Sequence, residues 1–327
     1  PHSRALAPGT FVARDWRIER MLGQGGFGVT YEARHRTNGA HVALKEYMPS
    51  GLCTRIEGST KVTPAQGPAG DVFKRGLAGF MKEAETLARL DHPSIVRVTG
   101  YFEANETAYM ALAYETGGTV GDWLKRLGRS PTQGELDYLL WPLTEALTQV
   151  HALFVLHRDI KPDNIMMRAD SIPVLIDFGA VRSAVAGHTQ TLGGVNPAAT
   201  SAFAVVSHGY SPPEQYDPAG RMMGPASDIY ALAATLHTAL TGEPPPTAPS
   251  RQFGDHYQPL AVRLAGQDWR PEFLSGIDTG LAVHPKDRPQ SAMEFRRALG
   301  LGEAPPMAAG QPPKEAATRA VTRSAPS

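Results

Sequence analysis

The chain has 327 residues, 42% hydrophobic and 20% charged, with 32 basic side chains balancing 32 acidic ones. This is an ordinary globular composition, without the basic excess that marks a nucleic-acid or anionic-membrane surface. The one cysteine, Cys53, excludes an internal disulfide and a cysteine zinc site, and no run of about 18 apolar residues is present to span a bilayer.

Residues 1–10 (PHSRALAPGT) read as a tail without signal-peptide character. A start at Pro1 fits a piece of a longer chain. Residues 11–47 alternate apolar and polar side chains, and Asn38-Gly39 is a hairpin signal, so this stretch is predicted to be β-rich. Residues 48–70 are rich in Gly, Pro, Ser and Thr and read as an irregular insert, with Cys53 a small loop side chain. Phe73, Leu77, Phe80, Ala84 and Leu87 then form a helical stripe. Strand-like sequence returns over 95–114. Beyond about residue 119 the pattern is mostly helical, most clearly over 135–154 and 226–241. The second of these is apolar nearly all round, which predicts a buried helix, stopped by Gly242 and the three prolines 244–246. Residues 301–327 lack apolar periodicity and read as a disordered tail or linker. The expected fold class is α+β in two lobes, a β-rich one over 11–115 and a mostly helical one over 116–300, with a ligand cleft between them.

Two short stretches carry chemistry. "LGQGGFGVTYEA" contains Gly23-x-Gly25-x-x-Gly28, in which missing Cβ atoms let backbone N–H groups approach phosphate oxygens. A dinucleotide-binding fold needs a helix directly after such a loop. Here a strand, a turn and a second strand follow, so the placing of Glu46 near a ribose-binding distance is coincidental. Lys45 ends the apolar run Val42-Ala43-Leu44 and needs a partner there, or water near the strand end. Phosphate oxygens would supply such a partner. Glu83 and Glu85 on the following helix are both candidates to hold the ammonium, and helical geometry slightly favours Glu83. The other stretch, "VLHRDIKPDNIMM", crowds Arg158, Asp159, Lys161, Asp163 and Asn164 between apolar flanks.

Taken in order, the glycine loop, Lys45, His157-Arg158-Asp159-Ile160-Lys161-Pro162-Asp163-Asn164, Asp177-Phe178-Gly179, Pro212-Pro213-Glu214 and Ser227-Asp228 resemble the eukaryotic-like (Hanks-type) serine/threonine protein kinases. The resemblance runs from about residue 11 to 299. "KEYMPSGLCTR" is similar to a segment of a bacterial group of these kinases. The resemblance implies ATP contacts from Leu22, Gly23, Gln24, Gly25, Gly26, Phe27, Gly28, Val29 and Thr30. It also implies Ala43 and Met166 on the two faces of adenine, Leu112 behind it and Tyr114 within the hinge 113–115. Lys45, held by Glu83, would meet the phosphates. Asp159 would be the base and Lys161 would offset γ-phosphate charge. Asn164 and Asp177 would bind Mg²⁺, or Mn²⁺ in its place. Glu214 with Arg288 would form a buried ion pair, and Asp228 would hold the backbone at His157 and Arg158. His151 reads as packing.

The expected function is therefore ATP- and Mg²⁺-dependent phosphorylation of Ser/Thr in protein substrates, with no nucleic-acid partner. A cytoplasmic location is expected, alone or as the cytoplasmic part of a longer chain. One or more of Thr189, Thr191, Thr200 and Ser201 is expected to be autophosphorylated, with a dimer as the route for transfer in trans, and Thr318, Thr322 and Ser324 are more weakly supported phosphorylation targets. Ser207 stands where the family often has threonine. The alternatives are a pseudokinase scaffold, which loss of Lys45, Asp159, Asn164 or Asp177 would signal, and a small-molecule kinase. Relatives of the latter type usually lack the peptide-holding Ser207 and Pro213-Glu214 segments. A dinucleotide oxidoreductase is the weakest option.

Overall fold

The computed structural model describes residues 4–178, 206–217 and 222–302. Gly179, the four activation-segment hydroxyls Thr189, Thr191, Thr200 and Ser201, and nearly all of the 301–327 segment lie outside the described residues. The first lobe is an antiparallel six-stranded sheet. Its strands are β1 (Phe11–Val12), β2 (Trp16–Gln24), β3 (Gly28–His35), β4 (His41–Tyr47), β7 (Val98–Ala104) and β8 (Thr107–Ala113), in the order β1-β2-β3-β4-β8-β7. Gly39, at φ 67°, makes the turn that lets β3 pair with β4.

Alternation sorts the side chains of these strands. Val29, Tyr31 and Ala33 of β3, with Val42, Leu44 and Glu46 of β4, are buried on the outer face. The apolar ones join Leu6, Ile18, Tyr109 and Ala111 in one core. Thr30, Ala43 and Lys45 point the other way, into the space between the lobes. On the inner side α1 (Pro68–Leu87) presents its expected stripe, and Phe73 and Phe80 pack on Tyr47 with ring centroids 5.1 and 5.8 Å away. That second core runs on through Leu139, Leu143 and Ile160 to Ile229 and Leu236.

Two expectations about this lobe are corrected. The 48–70 insert holds a hairpin, β5 (Cys53–Arg55) with β6 (Val62–Pro64), and the first turn of α1. Its composition hid this because its order comes from an anchor elsewhere: Arg55, 4% exposed, donates to the buried Glu46 carboxylate. Cys53 is a buried strand residue whose thiol, donating to the Pro49 carbonyl, is pushed by burial up to about 12. Nor is the start of the chain a loose tail from residue 4 onward. Leu6 is buried and its N–H donates to the Tyr31 hydroxyl at 3.0 Å.

The second lobe contains, among the described residues, α2 (Val120–Leu127), α3 (Gln133–Ala152), α4 (Pro225–Thr241), α5 (Ala248–Phe253), α6 (Leu260–Arg263), α7 (Pro271–Gly280) and α8 (Ala292–Ala298). It also contains a short hairpin of β9 (Ile165–Met167) and β10 (Pro173–Leu175). Thr119 and Thr132 start α2 and α3 with reciprocal caps to Asp122 and Glu135. Helix α4 is buried nearly all round, and Gly242, at φ 80°, ends it as expected. No helix among the described residues is long and apolar enough to cross a membrane.

The expected ion pair is present. Arg288 meets Glu214 through both guanidinium nitrogens, at 2.7 and 3.1 Å, with both side chains fully buried. Ser227 also donates to Glu214, and Arg288 donates to the carbonyls of Ala226, Ala282 and Val283. Breaking a buried pair strands the surviving charge, at a cost of roughly 3–5 kcal/mol. Arg288→Ala is therefore expected to lower the unfolding free energy measured by urea titration by that amount. A loss under about 1 kcal/mol would show that water reaches Glu214.

Candidate active site

The cleft between the lobes is a cavity of about 540 Å³. Its roof is the glycine loop, where β2 ends at Gln24 and β3 begins at Gly28. Gly28 cannot be replaced without movement, because a Cβ there would lie 2.1 Å from the Glu46 carbonyl oxygen. Leu22, Gly23, Gln24, Gly25, Gly26, Phe27, Gly28 and Thr30 all line the cavity. Val29 does not. The alternation of β3 turns its side chain into the outer core, which corrects its expected place among the ATP contacts.

Ala43, Leu112 and Met166 line the cavity together with residues 113–115. The Tyr114 side chain does not enter an apolar pocket. It stacks on His41 with ring centroids 4.0 Å apart, donates to Glu32 at 3.3 Å and accepts from Arg20 at 3.1 Å. The hinge is thus tied to β2, β3 and β4 by side chains. Nothing in the sequence of residues 113–115 signals this tie.

Lys45 lies on the cleft face of β4. Its ammonium is 3.4 Å from Asp177 Oδ1 and 3.3 Å from the Phe178 carbonyl. The expected Lys45–Glu83 pair is corrected: Lys45 pairs with Asp177, while Glu83 is buried on α1 and does not line the cavity. Helix periodicity placed Glu83 on the correct face, but it could not give the distance between α1 and β4.

The floor is the 157–164 segment, held by one carboxylate. Asp228, in the first turn of α4, accepts the N–H of His157 and of Arg158, each at 2.8 Å, and a third bond from His151 at 2.8 Å. Burial pushes its pKa up, but the hydrogen bonds from His151 and from the Arg158 N–H outweigh that and hold it low. His151 is thus a partner of Asp228 as well as a packing residue. Two non-glycine residues here adopt left-handed backbone, Arg158 at φ 65° and Asp177 at φ 57°. Such residues persist only where their surroundings hold them, and they concentrate at functional sites.

Asp159 is buried at the bottom of the cleft. It accepts from the Ser207 hydroxyl at 2.7 Å, from Asn164 Nδ2 at 2.8 Å and from Lys161 at 3.3 Å. Lys161 also donates to Ser207 Oγ at 3.0 Å. Asn164 Nδ2 donates a second bond to the Asp159 carbonyl, also at 2.8 Å. Both its donors are used inward, so the amide oxygen is the group left to face a cation. Asp177 lines the same cavity. Two oxygen donors of this kind suit a hard cation whose other ligands are phosphate and water. Phe178 closes the back of the site, buried against the His157 ring at 4.5 Å.

With this geometry in hand, comparisons with known proteins agree. The model of the protein kinase domain matches residues 16–270. Serine/threonine-protein kinase PknA of Nostoc sp. is 32% identical over 290 residues, covering 88% of this chain and 47% of that protein. Serine/threonine-protein kinase B of Synechocystis sp. is 35% identical over 229 residues, covering 69% and 36%. The chain therefore spans half or less of these curated relatives. The solved structure of PpkA-294 in its apo form matches with a TM-score of 0.75 at 35% identity, over 91% of this chain and 100% of that one. A strand-rich lobe over a helical lobe, with these polar groups facing each other across the cleft, is the protein kinase fold. The chain belongs to the protein kinase family, in the Hanks-type serine/threonine branch of its bacterial relatives.

The site also shapes the pH dependence of stability. His157 donates through Nε2 to the Ile176 carbonyl at 2.8 Å and accepts the Asp159 N–H at Nδ1, which is the neutral form. Burial holds its pKa below the ordinary 6.5, and burial does the same for His92 and His237. Below 6.5 the unfolded chain therefore takes up protons that the folded chain refuses. Stability is full above that value and falls as the pH drops through it. Each histidine contributes up to about 1.4 kcal/mol per pH unit. Glu115, raised by burial, opposes this with a single group. Urea unfolding from about pH 7.5 down to about pH 5, above the ordinary carboxylate range, should show steadily falling stability. A flat or rising profile would contradict neutral buried histidines.

Proposed function

We propose that the chain transfers the γ-phosphate of ATP to serine and threonine hydroxyls of proteins. One observation carries the reading: Asp159, Lys161 and Asn164 face Lys45 and Asp177 across a single cleft roofed by the glycine loop. Phosphoryl transfer asks a protein for positioning and charge stabilisation more than for covalent participation.

In this reading the backbone N–H groups of residues 23–28 hold the phosphates, and Lys45 fixes their position by charge. Ala43 and Met166 bracket the adenine, with Leu112 behind it and the hinge at its edge. Asn164 and Asp177 hold Mg²⁺, or Mn²⁺, which offsets charge on the phosphate oxygens when bound. Asp159 orients the acceptor hydroxyl and takes its proton. The Ser207 hydroxyl, which donates to Asp159 Oδ1 at 2.7 Å, supports this reading, since the carboxylate already accepts from an alcohol. Lys161, within 3.3 Å of Asp159, places a cation beside the proposed transfer path. Glu83 belongs to the site only if α1 moves toward β4, since Lys45 is paired with Asp177.

The test is transfer of labelled γ-phosphate with Mg²⁺ to a generic basic protein, comparing wild type with Asp159→Asn. A general base contributes about 10²–10⁴-fold, so the variant should lose nearly all transfer while still binding ATP. Wild type that binds ATP but transfers nothing would favour a nucleotide-binding scaffold.

We also propose autophosphorylation at one or more of Thr189, Thr191, Thr200 and Ser201, by a second copy of the chain. Intact-protein mass should rise after incubation with ATP and Mg²⁺, with an initial rate that grows faster than linearly with protein concentration. An unchanged mass would remove this part of the reading.

A further inference from the structure

We infer that Arg4 is a positioning residue for the phosphate-binding loop, fixing its peptide planes from the side opposite the nucleotide. The inference rests on the proposed use of ATP. Glycines at 23, 25, 26 and 28 give this loop backbone freedom that must be restrained before its N–H groups can converge on an anion. Three successive carbonyls at the tip are restrained from outside. Phe27 O accepts from the Met48 N–H at 3.0 Å and Gly26 O from the Ser50 N–H at 2.8 Å. Gly25 O accepts from Arg4 Nη1 at 3.3 Å. A trans peptide directs its C=O and its N–H to opposite sides. Holding the carbonyls of Gly25 and Gly26 outward therefore turns the N–H groups of Gly26 and Phe27 toward the cleft that these residues line.

Arg4 can serve as the outer brace because its own position is fixed. Its guanidinium donates to Ser50 Oγ at 2.6 Å and to the Met48 carbonyl, the same segment that holds the other two carbonyls. Arg55 of the insert hairpin donates to the Arg4 carbonyl and to Glu46. Two residues further on, Leu6 is buried and bonded to Tyr31, whose hydroxyl donates to Glu46 at 2.9 Å. Glu46 neighbours Lys45 on β4, so the brace is built on the strand that carries the phosphate-binding lysine. This gives the "KEY" segment and its hairpin a role in the reaction that their distance from the nucleotide hides.

The test compares binding of ATP with Mg²⁺ and of adenosine, by calorimetry, to wild type, Arg4→Ala, Arg4→Lys and Ser50→Ala. Adenosine has no phosphates, so it reports the fold and the adenine pocket alone. Losing about one ordinary net hydrogen bond corresponds to roughly a five- to tenfold change in affinity. Arg4→Ala should weaken ATP by that factor and leave adenosine unchanged. Ser50→Ala should act in the same direction with smaller size. Arg4→Lys, which keeps the charge but loses the fork that reaches three acceptors, should remain weakened. Equal ATP affinity in wild type and Arg4→Ala would overturn the inference. So would parallel weakening of ATP and adenosine with a lower melting temperature, which marks a general loss of structure. Wild type that binds neither compound would overturn the kinase reading itself, and the role of Arg4 with it.

Discussion

The floor of the active site depends on the buried carboxylate of Asp228. Residues 157–159 carry the Asp159 carboxylate to the cleft, with Arg158 in a backbone conformation that a side chain rarely adopts. No regular ladder supplies partners for the N–H groups of His157 and Arg158, and orphaned buried donors are costly. Asp228 satisfies both, and His151 satisfies part of Asp228 in turn. Since Asp228 belongs to a helix buried on nearly every side, the strain at Arg158 is held by the centre of the second lobe. The same helix start contributes Ser227 to Glu214, which carries the Arg288 pair. One helical turn thus fixes both the 157–164 segment and Glu214 with its arginine partner.

The roof is held differently. Its glycine loop has little side-chain substance, so its order is borrowed from residues 48–50 and from Arg4. The floor is anchored by a fully buried carboxylate, whereas the roof is anchored by hydrogen bonds at a partly exposed edge, so the two halves of the cleft owe their order to different interactions.

Much of this was legible in the sequence because its signals are local. Alternation in β3 and β4, the Asn38-Gly39 turn, the α1 stripe and the stop at Gly242 each follow from a few adjacent residues. The run from His157 to Asn164 has a composition that little else explains. Contacts between segments far apart in the chain were not legible. The partner of Lys45 depends on how α1 sits against the sheet, and periodicity does not report that. The hairpin at 53–64 is fixed by Glu46, and residues 4–6 by Tyr31 and Arg55, all on other elements. His151 and Tyr114 gave no sign of their polar partners, Asp228 and Glu32. The glycine motif points Val29 to the cleft, whereas strand alternation turns it into the outer core.

Lys45 and Glu46 are neighbours on one strand, and they face opposite sides of the sheet. One cation is aimed at the cleft, and one anion is sealed among Tyr31, Tyr109 and Arg55. A slip of β4 by one residue would exchange them, driving an ammonium into the outer core and a carboxylate into the cleft beside Asp177. The first placement is costly by desolvation and the second by like-charge repulsion. The same two neighbours that give the cleft its polarity therefore also specify the register of the strand that carries them.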